Sequence, residues 1–243
     1  MSKLNYRSRL YQQYSSAVQG VVEVPSLAEM DRWGAPYDSY LRGWLPSDLA
    51  APILDVACGY GRLLRYFAKR GYTNVCGVDV SREQVDIART ISPRVELGEV
   101  TEFLGRNGSQ FSVITALDIV EHFGKDELLG FLDACHCALR PGGYLIVQTP
   151  NADSPRGLGV RYGDFTHEVC LSPQVLQSVL RVCGFRGFEA REQGPVARGP
   201  LSLLRAFLWQ GYRVSASFRN LVETGSTGNR VFTRVFIARS VRG

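Results

Sequence analysis

The stretch from residue 53 to residue 81 reads ILDVACGYGRLLRYFAKRGYTNVCGVDVS, and it decides the fold. Two apolar runs of strand length, 53–57 and 75–80, enclose a segment of helical period. The turn Gly59-Tyr-Gly61 joins the first run to the helix. Glycines at such a turn allow a sharp change of backbone direction and leave backbone amides open to a ligand. The stretch therefore predicts a strand, a glycine turn, a helix and a second strand.

The same alternation continues along the chain. The predicted strands that follow are 95–97, 112–117, 144–148, 188–193 and 231–239, and the predicted helices are 62–70, 82–91 and 126–139. Strands that alternate with helices and are nearly continuously apolar predict a mostly parallel sheet covered on both faces. Ligands of such sheets bind beyond the carboxyl ends of the strands. The sequence thus predicts an α/β fold with its site at that edge.

The composition is that of an ordinary folded protein. Of the 243 residues, 45% are hydrophobic and 21% are charged, and the formal net charge is +5. These values exclude disordered, collagen-like and coiled-coil classes. We expect no transmembrane span and no secretion signal, because the apolar runs are short and residues 1–16 carry charges without an apolar core. The six cysteines form no C-x-x-C pair, which favours reduced thiols and a cytoplasmic protein.

Two aspartates and one leucine indicate which ligand the glycine turn accepts. A pyrophosphate-binding turn needs a third glycine where this chain has Leu64, so a nicotinamide-dependent dehydrogenase is disfavoured. Asp55, beside the turn, would repel phosphates and attract a cationic ligand such as an ammonium or a sulfonium. Asp79, at the end of the second strand, can accept hydrogen bonds from both hydroxyls of a ribose. The ligand predicted from these residues is a cationic nucleoside.

Residues 53–81 resemble the opening motifs of the class I S-adenosylmethionine-dependent methyltransferases. GEVTEF at 98–103, ALDIVEHF at 116–123 and LRPGGYLIVQTPN at 139–151 are similar to later motifs of that family, in the same order. The resemblance implies a Rossmann-like fold, a mostly parallel seven-stranded sheet with the last strand antiparallel, and S-adenosylmethionine as methyl donor. The cofactor-binding residues that it implies are Asp55 for the ammonium, Gly59 and Gly61 for the methionine part, Asp79 for the ribose, Val80, Glu99 and Val100 for the adenine, and Leu117 as a further cofactor contact.

Two histidines are candidates for activating the methyl acceptor. A hydroxyl acceptor needs a base or a metal to become a good nucleophile, whereas an amine needs only to be deprotonated. His122 follows the predicted fourth strand and His167 follows the fifth, so both fall at the edge where the methyl group would lie. We predict that both are catalytic. For His167 a second interpretation stays open, in which hydrogen bonds of its ring fix the loop 151–170.

Asp118, Glu121 and His122 resemble the acidic-x-x-Glu-His arrangement of ubiquinone-pathway O-methyltransferases and small-RNA 2′-O-methyltransferases, which hold a divalent cation there. His167 could be a fourth ligand, and these donors suit magnesium or manganese. Glu-His after the fourth strand also occurs in metal-free relatives, so both interpretations remain open.

The later segments RYGDFTHEVCLSPQVLQSVLRVCGF at 161–185 and LVETGSTGNRVFTRVFIARS at 221–240 resemble bacterial methyltransferases of polysaccharide and glycan biosynthesis. The resemblance implies that the acceptor is a hydroxyl of a sugar or glycan precursor. Two alternatives are an N-methyltransferase that acts on an amino sugar or small amine, and a non-catalytic cofactor-binding partner subunit. A nucleic-acid substrate is not predicted, since the cations form no dense patch with interleaved aromatic residues.

Two additions surround the predicted methyltransferase domain, 45–243. Residues 1–44 are rich in Tyr and Trp and predict a helical lid over the ligand-binding edge. Residues 201–222 form an amphipathic segment between the last two strands, with an apolar face edged by arginines. We favour its packing on the sheet or in a homodimer. A helix that lies peripherally in a membrane interface has the same composition and is the alternative.

Overall fold

The computed structural model describes residue 10, residues 24–155 and residues 157–243. The strands are β1 Ile53–Val56, β2 Val75–Asp79, β3 Val95–Leu97, β4 Phe111–Leu117, β5 Leu139–Pro150, β6 Phe185–Glu192 and β7 Val235–Arg242. The helices are α1 Leu27–Gly34, α2 Tyr37–Tyr40, α3 Arg62–Lys69, α4 Arg82–Ala88, α5 Val100–Gly105, α6 Lys125–Ala138, α7 Leu158–Arg161, α8 Pro173–Val182 and α9 Pro200–Thr224, with a short 3-10 helix at Val120–His122.

The seven strands form one sheet in the order β3-β2-β1-β4-β5-β7-β6. The pairs among β1 to β5 are parallel, and β7 runs antiparallel to both of its neighbours, β5 and β6. The predicted sheet, including the antiparallel last strand, is confirmed. Strand β6 therefore runs in the same direction as β1 to β5, and only β7 runs in the opposite direction. As a result, β6 ends and β7 begins at the carboxyl edge of the parallel strands.

Both faces of the sheet are covered, as nearly continuous apolar strands predict. Ile53 of β1 points into a core formed with α3 and α4, where Phe67 and Val85 are fully buried. Its neighbour Leu54 points to the other face and packs with α5, α6 and α8, where Phe131 is fully buried. Successive strand residues thus alternate between two apolar layers.

Two strands at the end of the chain differ from their predicted bounds. Strand β6 begins at Phe185 rather than residue 188, and a left-handed Gly187 shifts its register against β7 between Arg186 and Glu189. Strand β7 begins at Val235 rather than residue 231. The side-chain amide of Asn151 donates to the carbonyl oxygens of residues 231 and 233, at 2.9 and 3.0 Å, so these residues are held by a side chain instead of a strand.

The described part of the predicted lid packs beside the site. Helix α1 begins at a capping box made by Ser26 and Glu29, and Asp31 in that helix forms ion pairs with Arg65 and Lys69 of α3. This contact places Trp33 at the rim of the central cleft. Residues 1–9 and 11–23 lie outside the described residues, and the domain boundary at residue 44 stays a prediction.

Within the described ranges, we find no helix with the length and hydropathy that a membrane span requires.

Candidate active site

A cleft of about 1580 Å³ opens at the carboxyl edge of the sheet, between the ends of β1, β2 and β4 and the loop that follows β5. The predicted site residues that line it are Asp55, Gly59, Asp79, Val80, Glu99, Val100, Leu117, Asp118, Glu121, His122 and His167. The predicted cofactor residues and the predicted acceptor-activating residues therefore share one cavity, although they come from five separate segments of the chain.

The two glycines of the turn have different roles. Both have left-handed backbones, with φ of +54° at Gly59 and +86° at Gly61. Gly59 lines the cleft, and a Cβ there would lie 2.8 Å from the side-chain oxygen of Gln84. Gly61 does not line the cleft; a Cβ there would lie 3.3 Å from the Cα of Ala88, the last residue of α4. Gly61 thus allows α3 to begin close against α4, while Gly59 faces the cleft.

Asp79 connects the end of β2 to the glycine turn. Its two carboxylate oxygens accept hydrogen bonds from the backbone amides of Gly59 and Ser81, each at 2.8 Å. Burial raises the pKa of this carboxyl, and the hydrogen bonds from the two amides oppose that rise. An ionised carboxylate offers about four lone-pair sites, so each oxygen can accept one further hydrogen bond from the cleft.

Asp55 is a buried acid at the end of β1. One of its oxygens accepts a hydrogen bond of 2.7 Å from the hydroxyl of Thr115 on the neighbouring β4. Burial raises the pKa of Asp55 to about 7, and repulsion by Asp79 adds to the rise. A cation in the cleft would stabilise the ionised form of Asp55. The cleft is therefore electrostatically suited to a positively charged ligand.

Replacement of Asp55 by asparagine should make the unliganded protein more stable at pH 8 by about 2–4 kcal/mol. The carboxyl of Asp55 binds its proton more tightly in the folded chain than in the unfolded chain, where it has the ordinary pKa of 3.8. The cost of ionising Asp55 is thus absent near pH 4, appears as pH rises towards about 7 and is complete above it.

Denaturant unfolding of the wild type and Asp55→Asn across this pH range measures that difference. Asp48→Asn, at an exposed acid outside the cleft, is the matched control and should follow the wild type. A stability gap between wild type and Asp55→Asn that does not change with pH would contradict the prediction.

A threonine fixes the ring of His122. The backbone amide and the hydroxyl of Thr166 both donate to the same oxygen of Asp164, at 2.8 and 2.6 Å. The hydroxyl also lies 2.8 Å from Nδ1 of His122. Because a hydroxyl has a single proton and that proton goes to Asp164, the oxygen of Thr166 must accept from Nδ1–H. His122 is therefore the Nδ1–H tautomer, and its Nε2 carries a lone pair.

This tautomer can be measured directly. In Thr166→Val the hydrogen bond to Nδ1 is lost, and its net worth of about 1 kcal/mol corresponds to a roughly fivefold change in the tautomer ratio of His122. Thr166→Ser retains the hydroxyl and should retain the wild-type ratio. The ¹⁵N chemical shifts of the His122 ring report the ratio. Equal shifts in wild type and Thr166→Val would show that Thr166 does not set the tautomer.

Glu121, His122 and His167 form one group of possible ligand atoms. Their ligand atoms lie within 4.8 Å of one another, and the two imidazole rings are 4.8 Å apart edge to face. The carbonyl of Glu121 accepts from the backbone amides of residues 168 and 169, which joins the loop after β4 to the loop after β5. Nδ1 of His167 is buried and has no hydrogen-bond partner among the described residues.

Burial controls the charges of this group. It raises the pKa of Glu121 well above its ordinary value, and repulsion by Asp118 adds to the effect. It lowers the pKa of His122 to about 4, with a further contribution from His167. At pH 7 His122 is therefore a neutral imidazole. A cation bound beside this buried carboxyl and this neutral imidazole would stabilise the ionised form of the carboxyl.

Asp118 lies outside that group. Its backbone is left-handed, with φ of +52°, and its carboxylate accepts a hydrogen bond of 2.7 Å from the side-chain amide of Gln148. Gln148 in turn accepts a hydrogen bond of 2.7 Å from the hydroxyl of Tyr37. The structure thus brings three of the four predicted metal ligands together, and connects the fourth to the aromatic segment before β1.

Sequence reasoning missed several residues of the cleft. The guanidinium of Arg62 lies over the rings of Tyr60, at 4.6 Å, and Trp33, at 5.5 Å. The hydroxyl of Tyr60 is buried without a partner among the described residues, which leaves a donor for a ligand. The position of Tyr60 between the two turn glycines was a usable signal. For Thr166 the spacing Asp164-x-Thr166 signals a local turn, but its contact with His122 is set by the fold.

Comparisons with known proteins agree with this geometry. The family described as "Methyltransferase domain" matches residues 31–193. A relative in Sinorhizobium medicae named ubiquinone biosynthesis O-methyltransferase is 36% identical over 104 residues, which cover 41% of each chain. The mitochondrial protein of that name in Rattus norvegicus is 30% identical over 152 residues, covering 54% of this chain and 43% of the relative. The chain thus matches less than half the length of these two relatives.

A solved structure extends the likeness over the whole fold. An S-adenosylmethionine-dependent methyltransferase from Archaeoglobus fulgidus superimposes with a TM-score of 0.63 at 17% identity, covering 95% of this chain and 99% of that one. The matched family spans residues 31–193, which include the glycine turn, both carboxylates and the histidine pair. The chain therefore belongs to the class I S-adenosylmethionine-dependent methyltransferases.

Proposed function

We propose that the protein transfers the methyl group of S-adenosylmethionine to a hydroxyl oxygen of its acceptor. The observation that carries this proposal is the position of His122 and His167 in the same cleft as the glycine turn and its carboxylates. A hydroxyl must lose its proton to attack a methyl group, and these imidazoles with Glu121 are the groups available to promote that loss. The names of the two curated relatives, both O-methyltransferases, also support a hydroxyl acceptor.

The cleft residues fit the methyl donor. The free lone pairs of Asp79 can accept from ribose hydroxyls, and Gly59 leaves space where a side chain would collide with Gln84. Val80, Val100 and Leu117 supply apolar contacts beside them. Asp55 adds a carboxylate whose ionised form a positively charged donor stabilises. Methyl transfer is an in-line displacement, so the main work of these residues is to align the donor and exclude water.

The acceptor can be activated in two ways that use the same residues. In the first, His167 takes the proton of the hydroxyl as a general base. In the second, Glu121, His122 and His167 hold a divalent cation. A bound cation would lower the pKa of a coordinated hydroxyl. Two imidazole nitrogens and one carboxylate fit manganese better than magnesium, because magnesium prefers oxygen donors.

The sugar or glycan hydroxyl stays a prediction. It is supported by the resemblance of residues 161–185 and 221–240 to glycan-modifying methyltransferases. The two curated relatives are named for ubiquinone biosynthesis, and these names favour a hydroxyl of a ubiquinone precursor over a sugar hydroxyl. Both classes of acceptor present a hydroxyl oxygen as the nucleophile, and in both His167 would promote the loss of its proton.

Transfer of a labelled methyl group to a panel of acceptors tests the proposal. The panel contains sugars and sugar nucleotides, phenols and catechols, and amines. Label on a hydroxyl compound supports O-methylation, and label on amines alone contradicts it. Donor binding without transfer to any member would indicate the non-catalytic partner subunit.

The same assay separates the two modes of activation. A rate that a chelator lowers more than about 10-fold and that manganese restores assigns Glu121, His122 and His167 to a cation. An unchanged rate removes them from that role and leaves His167 as the base.

A further inference from the structure

Helix α9, Pro200–Thr224, has its apolar side turned away from the protein. None of its 25 residues is buried. Its outward side chains are Leu203, Leu204, Phe207, Leu208, Val214, Phe218, Leu221 and Val222, which are 45% to 73% exposed. We call these eight residues the apolar stripe. At 3.6 residues per turn they cover about 140° of the circumference, over a length of roughly 28 Å. The expectation that this face packs on the sheet is wrong.

Apart from Trp209, the residues on the side of α9 that faces the protein are small or polar. The partly buried residues are Ser202, Ala206, Trp209, Arg213, Ala216, Ser217 and Asn220. Trp209 donates to the carboxylate of Glu192 at 3.2 Å, and Arg213 forms an ion pair of 3.0 Å with the same carboxylate. These contacts with the end of β6 fix which side of the helix points outward. The apolar stripe is therefore held in solvent by polar anchors on the opposite side.

The charges beside the apolar stripe have a net positive sum. Arg205 and Arg219 are exposed and lie along one border of it, together with Glu223, the one acidic residue of the helix. Leucine and phenylalanine on one side with arginines at its border are typical of a helix that lies in a membrane interface. The aliphatic part of each arginine can remain with the apolar side chains while its guanidinium reaches lipid phosphates.

A second copy of the chain fits the apolar stripe less well. A two-stranded seam needs two apolar positions per heptad, with charged residues at the flanking positions, whereas here the flanking positions Leu203, Leu208 and Val222 are also apolar. A two-fold antiparallel pairing centred on Tyr212 would also place Arg205 of one copy beside Arg219 of the other. An anionic lipid surface accommodates the additional apolar positions and does not bring arginines of two chains together.

The location of α9 also suits a lipid surface. The helix lies between β6 and β7, which end and begin at the edge of the sheet where the cleft opens. Two further exposed aromatic residues, Tyr162 and Phe165, lie in the loop after β5 at that same edge. Their exposed fractions are 74% and 84%. Exposed apolar groups thus occur in two separate segments that adjoin the edge of the sheet with the cleft.

From these observations we infer that the apolar stripe of α9 docks the protein on an anionic lipid bilayer, with its apolar side chains in the interface and Arg205 and Arg219 at the phosphates. The helix lies along the surface and does not cross it. The inference does not rest on methyl transfer, since docking is measured without donor or acceptor.

Cosedimentation of the full chain with vesicles tests the docking. The wild type should bind vesicles that contain phosphatidylglycerol, and bind phosphatidylcholine vesicles more weakly. Phe207→Gln combined with Phe218→Gln should weaken binding about 10-fold or more. Arg205→Gln should weaken binding to the anionic vesicles about 5-fold. The matched control combines Val175→Gln with Val182→Gln, two exposed valines of α8, and should bind as the wild type does.

The result can overturn the inference in several ways. A wild type that fails to bind the vesicles contradicts it, as does equal binding by the Phe207 and Phe218 variant. A wild-type dimer that this variant converts to monomers, without vesicle binding, would assign the apolar stripe to a second copy. Leu204→Gln combined with Val214→Gln provides a second variant of the same stripe, should the first unfold. Thermal unfolding of each variant checks that the fold is intact.

Discussion

Replacement of His167 by alanine is expected to lower kcat for methyl transfer about 100-fold, because a positioned base or metal ligand contributes roughly 10²- to 10⁴-fold to such reactions. The affinity for S-adenosylmethionine should stay within about twofold of the wild type, since the carboxylates of the donor site come from other strand ends. Steady-state kinetics and calorimetric titration of the donor give the two values.

His136→Ala is the matched control for this variant. His136 lies on α6 with its ring 5.2 Å from that of Phe185, and it does not line the cleft. It should leave kcat unchanged. A His167→Ala enzyme that retains the wild-type kcat would remove His167 from acceptor activation. One that recovers its rate at high pH would favour an amine acceptor, which needs only deprotonation.

The second large effect is expected at Asp79. Replacement by alanine removes a buried carboxylate that accepts from the amides of Gly59 and Ser81 and that is placed to accept from the ribose. Hydrogen bonds to a charged group are worth about 1.5–3 kcal/mol each, so the loss of two such bonds should raise the Kd for S-adenosylmethionine at least about 100-fold. At saturating donor, kcat should change less than the Kd does.

Asp86→Asn provides the control for Asp79. Asp86 is an exposed acid on α4, outside the cleft, and its substitution should leave the Kd at the wild-type value. Because Asp79 also holds the glycine turn, the melting temperature of Asp79→Ala shows how much of the loss comes from the turn itself. An unchanged Kd in a folded Asp79→Ala protein would contradict the ribose role.

Local patterns in the sequence were sufficient to predict the parallel strands and to place the turn glycines and Asp79 at one edge of the sheet. The apolar runs, the turn glycines and Asp79 lie close together in the chain, so spacing alone indicates a strand, a turn and an acid at the next strand end. Gly61 shows the limit of this reasoning. The resemblance implies a cofactor role for it, which stays a prediction, whereas the structure shows a packing reason for this glycine: a Cβ there would meet Ala88 of the neighbouring helix.

Other features depend on contacts that are distant in sequence. The late start of β7 follows from the amide of Asn151, which binds the carbonyls of residues 231 and 233 across about 80 residues of chain. The tautomer of His122 depends on Thr166, a residue 44 positions later that the fold brings to 2.8 Å. No periodicity or spacing reports such pairs.

Helix α9 shows a different limit. Its 3.6-residue periodicity predicted an apolar face correctly, but periodicity does not state which way that face points. Helices of soluble proteins usually turn the apolar face inward, which is why the sequence favours packing on the sheet or in a homodimer. The anchors at Glu192 reverse the orientation, and they become visible only when β6 and the helix are placed together.

We propose that this cleft holds a methyl donor by its ribose and its cationic end. A crystal structure of the chain with S-adenosylhomocysteine tests this binding mode. We expect ribose hydroxyls within hydrogen-bond distance of Asp79, the adenine against Val80 and Val100, and the amino-acid end over Gly59 near Asp55. A ligand bound elsewhere, or a crystal grown at saturating ligand in which side chains fill this cleft, would contradict it.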